Sequence, residues 1–165
     1  MGMYLRKAEP SDIGAVKKLE IDCHLSSWAE QDYLKEFGRP DSIFYVMTFK
    51  SEVIGFILAR LIMYQMELSI ETEIEIYNIA VENSFRRRKV GVALLEKLFE
   101  TGFQKNANRI FLEVRKSNTE ALDFYKKNSF KVTGERKNFY RNPSEDAVLM
   151  CHSLQAQKVA ELENS

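Results

Sequence analysis

Between residues 73 and 127 the apolar positions change period three times, and that alternation limits the possible folds more than any other feature of the chain. Residues 73–81 carry Ile74 and Ile76, then Ile79, Ala80 and Val81, as a strand buried on at least one face would. From residue 90 the spacing turns helical: Val90, Leu94, Leu95, Leu98 and Phe99 make one stripe, with Glu96, Lys97 and Glu100 opposite. This helix should end around residues 102–106. Residues 109–114 return to a compact strand, and 119–127 to a short helix bearing Ala121, Leu122, Phe124 and Tyr125. A helical crossover between two strands predicts that they lie parallel. The fold class is therefore α/β, with a mixed sheet.

Ahead of this unit, residues 3–7 read as a strand. Pro10 and Ser11 give a helix start, with Ser11 as N-cap and Ile13, Val16 and Leu19 at helical spacing. A second helix is predicted over 29–37, stopped by Gly38 with Pro40 beyond. Residues 43–49 and 53–64 are rich in β-branched and aromatic side chains, and the polar link Lys50-Ser51-Glu52 suggests a hairpin. Downstream, 130–132, 138–140 and 147–151 are strand candidates around the turn at Asn142-Pro143. The polar segment 155–165 has too few apolar residues to fold alone and is expected as frayed helix. That leaves 1–154 as a single domain, an ordinary size.

Lys plus Arg and Asp plus Glu are 24 each, so no global field draws the chain to nucleic acid or to an acidic membrane. Any electrostatic function must be local. Two cysteines make no disulfide framework, no charged-then-apolar leader opens the chain, and the apolar run at 53–63 is broken by Gly55 and Arg60. A membrane helix needs roughly 20 apolar residues, so a cytoplasmic protein without a membrane partner is expected. Cys23-His24 and Cys151-His152 resemble metal pairs, but adjacent side chains on one element diverge and no four-ligand spacing exists. No metal is expected.

The chemistry concentrates where the strand runs into the helix, in "YNIAVENSFRRRKVGVALLEKLF". The first turn of a helix offers unpaired N–H groups and the positive end of the macrodipole, a receptor for phosphate oxygens. Arg86, Arg87, Arg88 and Lys89 add charge there, and Gly91 lets a ligand approach the backbone. Pyrophosphate fits such a place. A solvated basic face and a nucleic-acid patch are the rivals; no second basic, aromatic-interleaved stretch supports the latter.

Asn78-Ile79-Ala80-Val81 followed by Arg86-x-x-Lys89-x-Gly91-x-Ala93 resembles the signature of the GNAT acetyltransferases. "LEVRKSNTEALDFYKKNSF" at 112–130 and "RKNFYRNPSEDAVLM" at 136–150 resemble the RimI branch, which acetylates protein N-termini, and its archaeal and eukaryotic relatives. The likeness runs from "CHLSSWAE" at 23–30 to residue 150. It implies the GNAT fold, with about seven strands splayed between the fourth and fifth and about four helices flanking them. It also implies acetyl-coenzyme A as co-substrate, with a protein or peptide N-terminus as acceptor. Ribosomal proteins or the ribosome are the partners it suggests; the oligomeric state stays open.

The resemblance also implies roles. Residues 86–92 (Arg86, Arg87, Arg88, Lys89, Val90, Gly91 and Val92) would hold the pyrophosphate, while the backbone of Ile79, Ala80 and Val81 would meet the thioester and the pantetheine arm. Glu113 would be the general base, Tyr125 the general acid that protonates the departing sulfur, and Asn118, with Tyr125, a contact of the coenzyme. Glu30, Tyr33, Tyr77, Phe139 and Tyr140 would line the acceptor entrance. Read without the motif, Glu113 is a salt-bridged sheet-edge glutamate, Asn118 an N-cap, Tyr125 a core aromatic, and the entrance residues ordinary packing.

Three positions depart from the family pattern. Lys89 stands where the family has glycine; if the position needs positive φ, lysine costs on the order of 1–2 kcal/mol, and its ammonium is expected to face phosphate. Ser129 replaces a second glycine, with Asn128 beside it able to take the left-handed conformation. Ser26-Ser27 replace an apolar residue and proline in a loop that borders the acceptor entrance in the family. Two other functions compete: acetylation of lysine side chains or small amines, and a non-catalytic coenzyme A-binding or interaction module. Attachment to ribosomal RNA through residues 86–89 is a further alternative.

Overall fold

The computed structural model describes residues 2–25 and 28–154; the expectations for Ser26, Ser27 and the 155–165 segment lie outside the described residues. In chain order the elements are β1 (Met3–Lys7), α1 (Ile13–Asp22), α2 (Glu30–Glu36), β2 (Ser42–Phe49), β3 (Glu52–Gln65) and β4 (Ile70–Val81). They continue with α3 (Val90–Gln104), β5 (Arg109–Arg115), α4 (Thr119–Lys127), β6 (Lys131–Arg141) and β7 (Ser144–Ser153). The strands form one sheet in the order β1-β2-β3-β4-β5-β7-β6. β4 and β5 are parallel, as the α3 crossover dictates, and their ladder covers Glu73↔Arg109 to Ile76↔Leu112. The described residues fall into two compact units, one of residues up to Leu61 with Tyr77–Glu100, the other of Ile62–Ile76 with the chain from Thr101.

In the first unit, β2 and β3 pair antiparallel and Phe49 faces Glu52 across a two-residue turn. Lys50 and Ser51 both adopt positive φ, 49° and 70°, the primed turn whose twist suits a tight hairpin. The apolar faces of the two strands meet Ile13, Val16 and Leu19 of α1 and Tyr33 of α2 in a core that also takes in Phe44, Val46, Phe56, Leu58 and Ala80. Ser11 does not cap α1. Pro10–Asp12 form a 3₁₀ turn, and Asp12 occupies the cap position. Its carboxylate accepts the Glu9 N–H at 2.8 Å and pairs with Arg6 at 2.7 and 2.9 Å, which draws the helix start one residue further on.

In the second unit, β5 pairs antiparallel with β7 and β7 with β6. Residues 130–132 and 138–140 are not separate strands but belong with the ends of the single strand β6. Its middle is exposed and charged because it lies at the sheet edge, where no alternation is required. The β6–β7 ladder is interrupted between Arg136 and Tyr140. Arg136 faces Ala147 and Tyr140 faces Glu145, so Lys137, Asn138 and Phe139 together lie opposite Asp146. Asp146 pins this bulge, accepting from the Asn138 N–H at 3.0 Å and from Lys137 Nζ at 2.9 Å, with Asn138 at φ 51°. At the end of α4 the left-handed residue is Ser129, φ 67°, while Asn128 stays at φ −100°. The Asn128 amide instead donates to Phe124 O at 2.8 Å, so it stays on the helix and passes the turn to its neighbour.

Candidate active site

The strand-to-helix junction of the first unit has the geometry of an anion receptor. After β4 the chain makes a 3₁₀ turn at Asn83–Phe85 and then two left-handed steps, Arg87 at φ 59° and Lys89 at φ 63°, before α3 begins at Val90. Left-handed residues of this kind recur in the anion-binding nests that peptide N–H groups form. The first bond that closes α3 is Ala93 N–H to Lys89 O at 2.9 Å, and among the described residues the N–H groups of Arg87, Arg88, Lys89, Val90, Gly91 and Val92 meet no backbone acceptor. No acidic side chain lies in the first turn of α3 to compete for them. Lys89 therefore adopts the conformation that its glycine-like position demanded, at the strain expected of a residue with Cβ.

The four cations are not equivalent. Arg86 is half-buried and turned back on the scaffold, donating to Val81 O at 3.4 Å and lying 3.6 Å from Cys23 Sγ. Arg87, Arg88 and Lys89 are all exposed, and Arg88 stacks on Phe85 at 5.3 Å. Gly55 of β3, noted in the sequence only as a break in an apolar run, sets how closely α3 approaches. A Cβ there would lie 3.0 Å from Ala80 O and 3.1 Å from Val90 Cγ1. An isolated glycine inside a strand was the available signal.

Ile79, Ala80 and Val81 close β4, with Ala80 buried and the others half-buried. Of the expected entrance residues in this unit, Glu30 is exposed at the start of α2, and Tyr77 is half-buried between Trp28 at 5.6 Å and the Arg60 guanidinium at 4.8 Å. Arg60 is itself anchored by the fully buried Glu36. Tyr33 is 0% exposed and presents no surface to a ligand. Its hydroxyl accepts from Asn78 Nδ2 at 3.0 Å, tying α2 to β4 directly before Ile79.

The second unit holds Glu113 and Tyr125, the two groups expected to serve acid–base work. Glu113 lies on β5, opposite Leu149 of β7, and pairs with Arg136 of β6 at 2.9 Å. Burial pushes its carboxyl above the usual carboxylate range; Arg136 opposes the shift and Glu75 reinforces it. Tyr125, on α4, is 5% exposed and packs edge-on against Phe130 at 5.2 Å. Burial, helped by Tyr140, holds its phenol in the neutral form far above the ordinary tyrosine range. Tyr140 is raised as well, first by burial and then by the Glu113 charge, with Arg115 stacked on its ring at 4.1 Å. Phe139 is 42% exposed and meets Tyr140 edge-on at 5.1 Å. Asn118 caps α4, its side-chain oxygen accepting the Ala121 N–H at 3.1 Å. Among the described residues no helix is long and apolar enough to cross a membrane.

Comparison with known proteins gives this geometry a context. The model of the acetyltransferase (GNAT) family matches residues 13–130. An N-alpha-acetyltransferase of Sulfurisphaera tokodaii is 32% identical over 155 residues, 91% of this chain and 92% of that protein. The ribosomal protein bS18-alanine N-acetyltransferase of Escherichia coli is 26% identical over 144 residues, 86% of this chain and 91% of the other. The crystal structure of Arabidopsis thaliana NAA60 in complex with acetyl-CoA superposes with a TM-score of 0.85, covering 93% of this chain and 99% of that one at 18% identity, a likeness of fold.

Proposed function

Because the chain belongs to the GNAT acetyltransferase family, whose members use acetyl-coenzyme A, we propose that it transfers the acetyl group to the free α-amino group of a protein or peptide. The observation that carries the donor half is the run of N–H groups from Arg87 to Val92 that, among the described residues, meet no backbone acceptor within hydrogen-bond geometry; it supports a diphosphate at the mouth of α3. The acceptor half rests on the relatives named as N-alpha- and ribosomal-protein-alanine acetyltransferases. Ribosomal proteins are the acceptor class that the second of these suggests.

The amine nitrogen attacks the thioester carbonyl, the N–C bond forms as the C–S bond breaks, and coenzyme A leaves as the thiol. An α-amino group has a pKa near 8, so most of it arrives protonated at neutral pH and a base must take the proton. Glu113 takes it, directly or through water. A carboxyl raised by burial is a better proton acceptor than an exposed one, provided it is ionised when the amine arrives. Tyr125 returns a proton to the sulfur. A phenol this strongly held neutral is always charged with its proton, and desolvation that raises it raises the basicity of a nearby thiolate too. Tyr77 in the first unit and Phe139 and Tyr140 in the second serve the acceptor, and Tyr33 holds Asn78 next to Ile79.

The test is acetylation of a peptide panel in which each sequence has a free or a blocked N-terminus and one internal lysine, with the acetyl group located by mass spectrometry. The reading predicts modification of the free α-amino group alone. Acetyl-lysine on the blocked peptides would replace it with the side-chain alternative, and no turnover of any peptide would leave the coenzyme-binding module.

A further inference from the structure

The mechanism leaves one charged neighbour of the base without a task. Arg136 reaches Glu113 from β6, while its guanidinium lies 5.5 Å from the centre of the Phe139 ring. In a regular strand, residues three apart point to opposite faces. Here the bulge opposite Asp146 brings Phe139 back over Arg136, so one irregularity of the ladder builds the chain Glu113–Arg136–Phe139. Bulges that re-aim a side chain in this way recur beside active sites.

We propose that Arg136 is a positioning residue for the reaction: braced by Phe139, it holds the Glu113 carboxylate in place and in its charged form for the incoming amine. This rests on the reading of Glu113 as the base. The groups that face Glu113 are Arg136 and Tyr140 from β6 and Glu75 from β4. Glu75 and burial both favour the protonated carboxylic acid, which cannot accept a proton; Arg136 is the cation that opposes them. Its side chain is 57% exposed against 15% for Glu113, so the pair is anchored at its buried end and open at its outer end.

The sign follows from the charges. Activity that needs ionised Glu113 falls as pH drops through its pKa, and removing the cation raises that pKa further. The acid limb of kcat/KM therefore moves to higher pH in Arg136→Met. Discounted for the exposure of the guanidinium, the loss is about three- to ten-fold on the acid side, with the alkaline plateau little changed. Arg136→Lys restores most of it.

The experiment is a kcat/KM profile against pH for wild type, Arg136→Met, Arg136→Lys and Glu113→Gln, using one verified free N-terminal peptide, with thermal unfolding of each. Loss of the acid limb in Glu113→Gln together with its upward displacement in Arg136→Met supports the proposal. An unmoved limb in folded Arg136→Met, or a limb displaced downward with faster turnover, overturns it and makes Arg136 a bystander or a block. If Glu113→Gln keeps the wild-type profile, the reading of the base itself fails, whatever Arg136 does.

Discussion

Replacing Lys89 with glycine separates two effects that lysine combines at one position. At φ 63° the Lys89 Cβ incurs about 1–2 kcal/mol of backbone strain. Glycine removes that strain but enters folding with a freer unfolded chain, which takes back about 0.5–1 kcal/mol. The net gain is about 0.5–1 kcal/mol, a rise in Tm of about 1–4 °C for a chain of this length. Binding should move the other way. The unbonded N–H groups remain, but the exposed ammonium is gone, and a unit charge about 4 Å from a phosphate oxygen in water-like surroundings contributes about 1 kcal/mol. Coenzyme A affinity should fall about five-fold. Lys89→Asn, which tolerates the left-handed region without charge, should lose the same affinity. Calorimetric titration with coenzyme A and thermal unfolding of wild type and both variants measure the two quantities independently. A glycine variant that binds as tightly as wild type refutes the ammonium–phosphate contact, and one that melts lower refutes the strain argument.

Tyr125→Phe keeps the buried ring and removes the donor; kcat with a verified peptide should fall by about 10²-fold or more while Tm holds, and an unchanged kcat would return Tyr125 to the core. Tyr33→Phe strands the Asn78 amide, 6% exposed, without its acceptor, at a cost of about 1–3 kcal/mol in urea unfolding; wild-type stability would mean that the amide finds another partner. Asp12 is held below its ordinary 3.8 first by its hydrogen bonds to Arg6. Its stabilisation is thus present above that value and lost as pH falls through the folded pKa, so Asp12→Asn should flatten the stability curve below about pH 4; parallel curves would count against this. Gly55→Ala drives a methyl against Ala80 O and Val90, and coenzyme binding should weaken if the α3 start shifts; tight binding would show that the packing yields.

The elements that could be read from the sequence are those whose burial imposes a period. The stripe Val90, Leu94, Leu95 and Leu98 is buried along α3, and the alternation of β5 is carried through its burial. β6 was legible only at its ends, because an exposed edge strand has no inner face to pattern. The helix start was misplaced by one residue because a 3₁₀ turn over Pro10–Asp12, closed by the Glu9–Asp12 capping box and the Arg6–Asp12 pair, precedes α1. Tyr33 looked like an entrance aromatic and is wholly buried: a short helix lying on a sheet turns its aromatic inward, where Asn78 and Glu20 meet its hydroxyl. Lys89 was visible as a departure from a motif, and its φ gives that departure a physical meaning. Arg136 was invisible, since its ion pair with Glu113 crosses strands far apart in the chain and its contact with Phe139 depends on an unannounced bulge.

The account depends above all on the open backbone amides at the start of α3. Their ¹H–¹⁵N resonances in uniformly labelled protein, followed during titration with coenzyme A, report on them one by one. The expectation is saturable displacement at Arg87, Lys89, Val90, Gly91 and Val92, and a smaller response with dephosphorylated pantetheine. Saturation by coenzyme A with those five amides unmoved would contradict it.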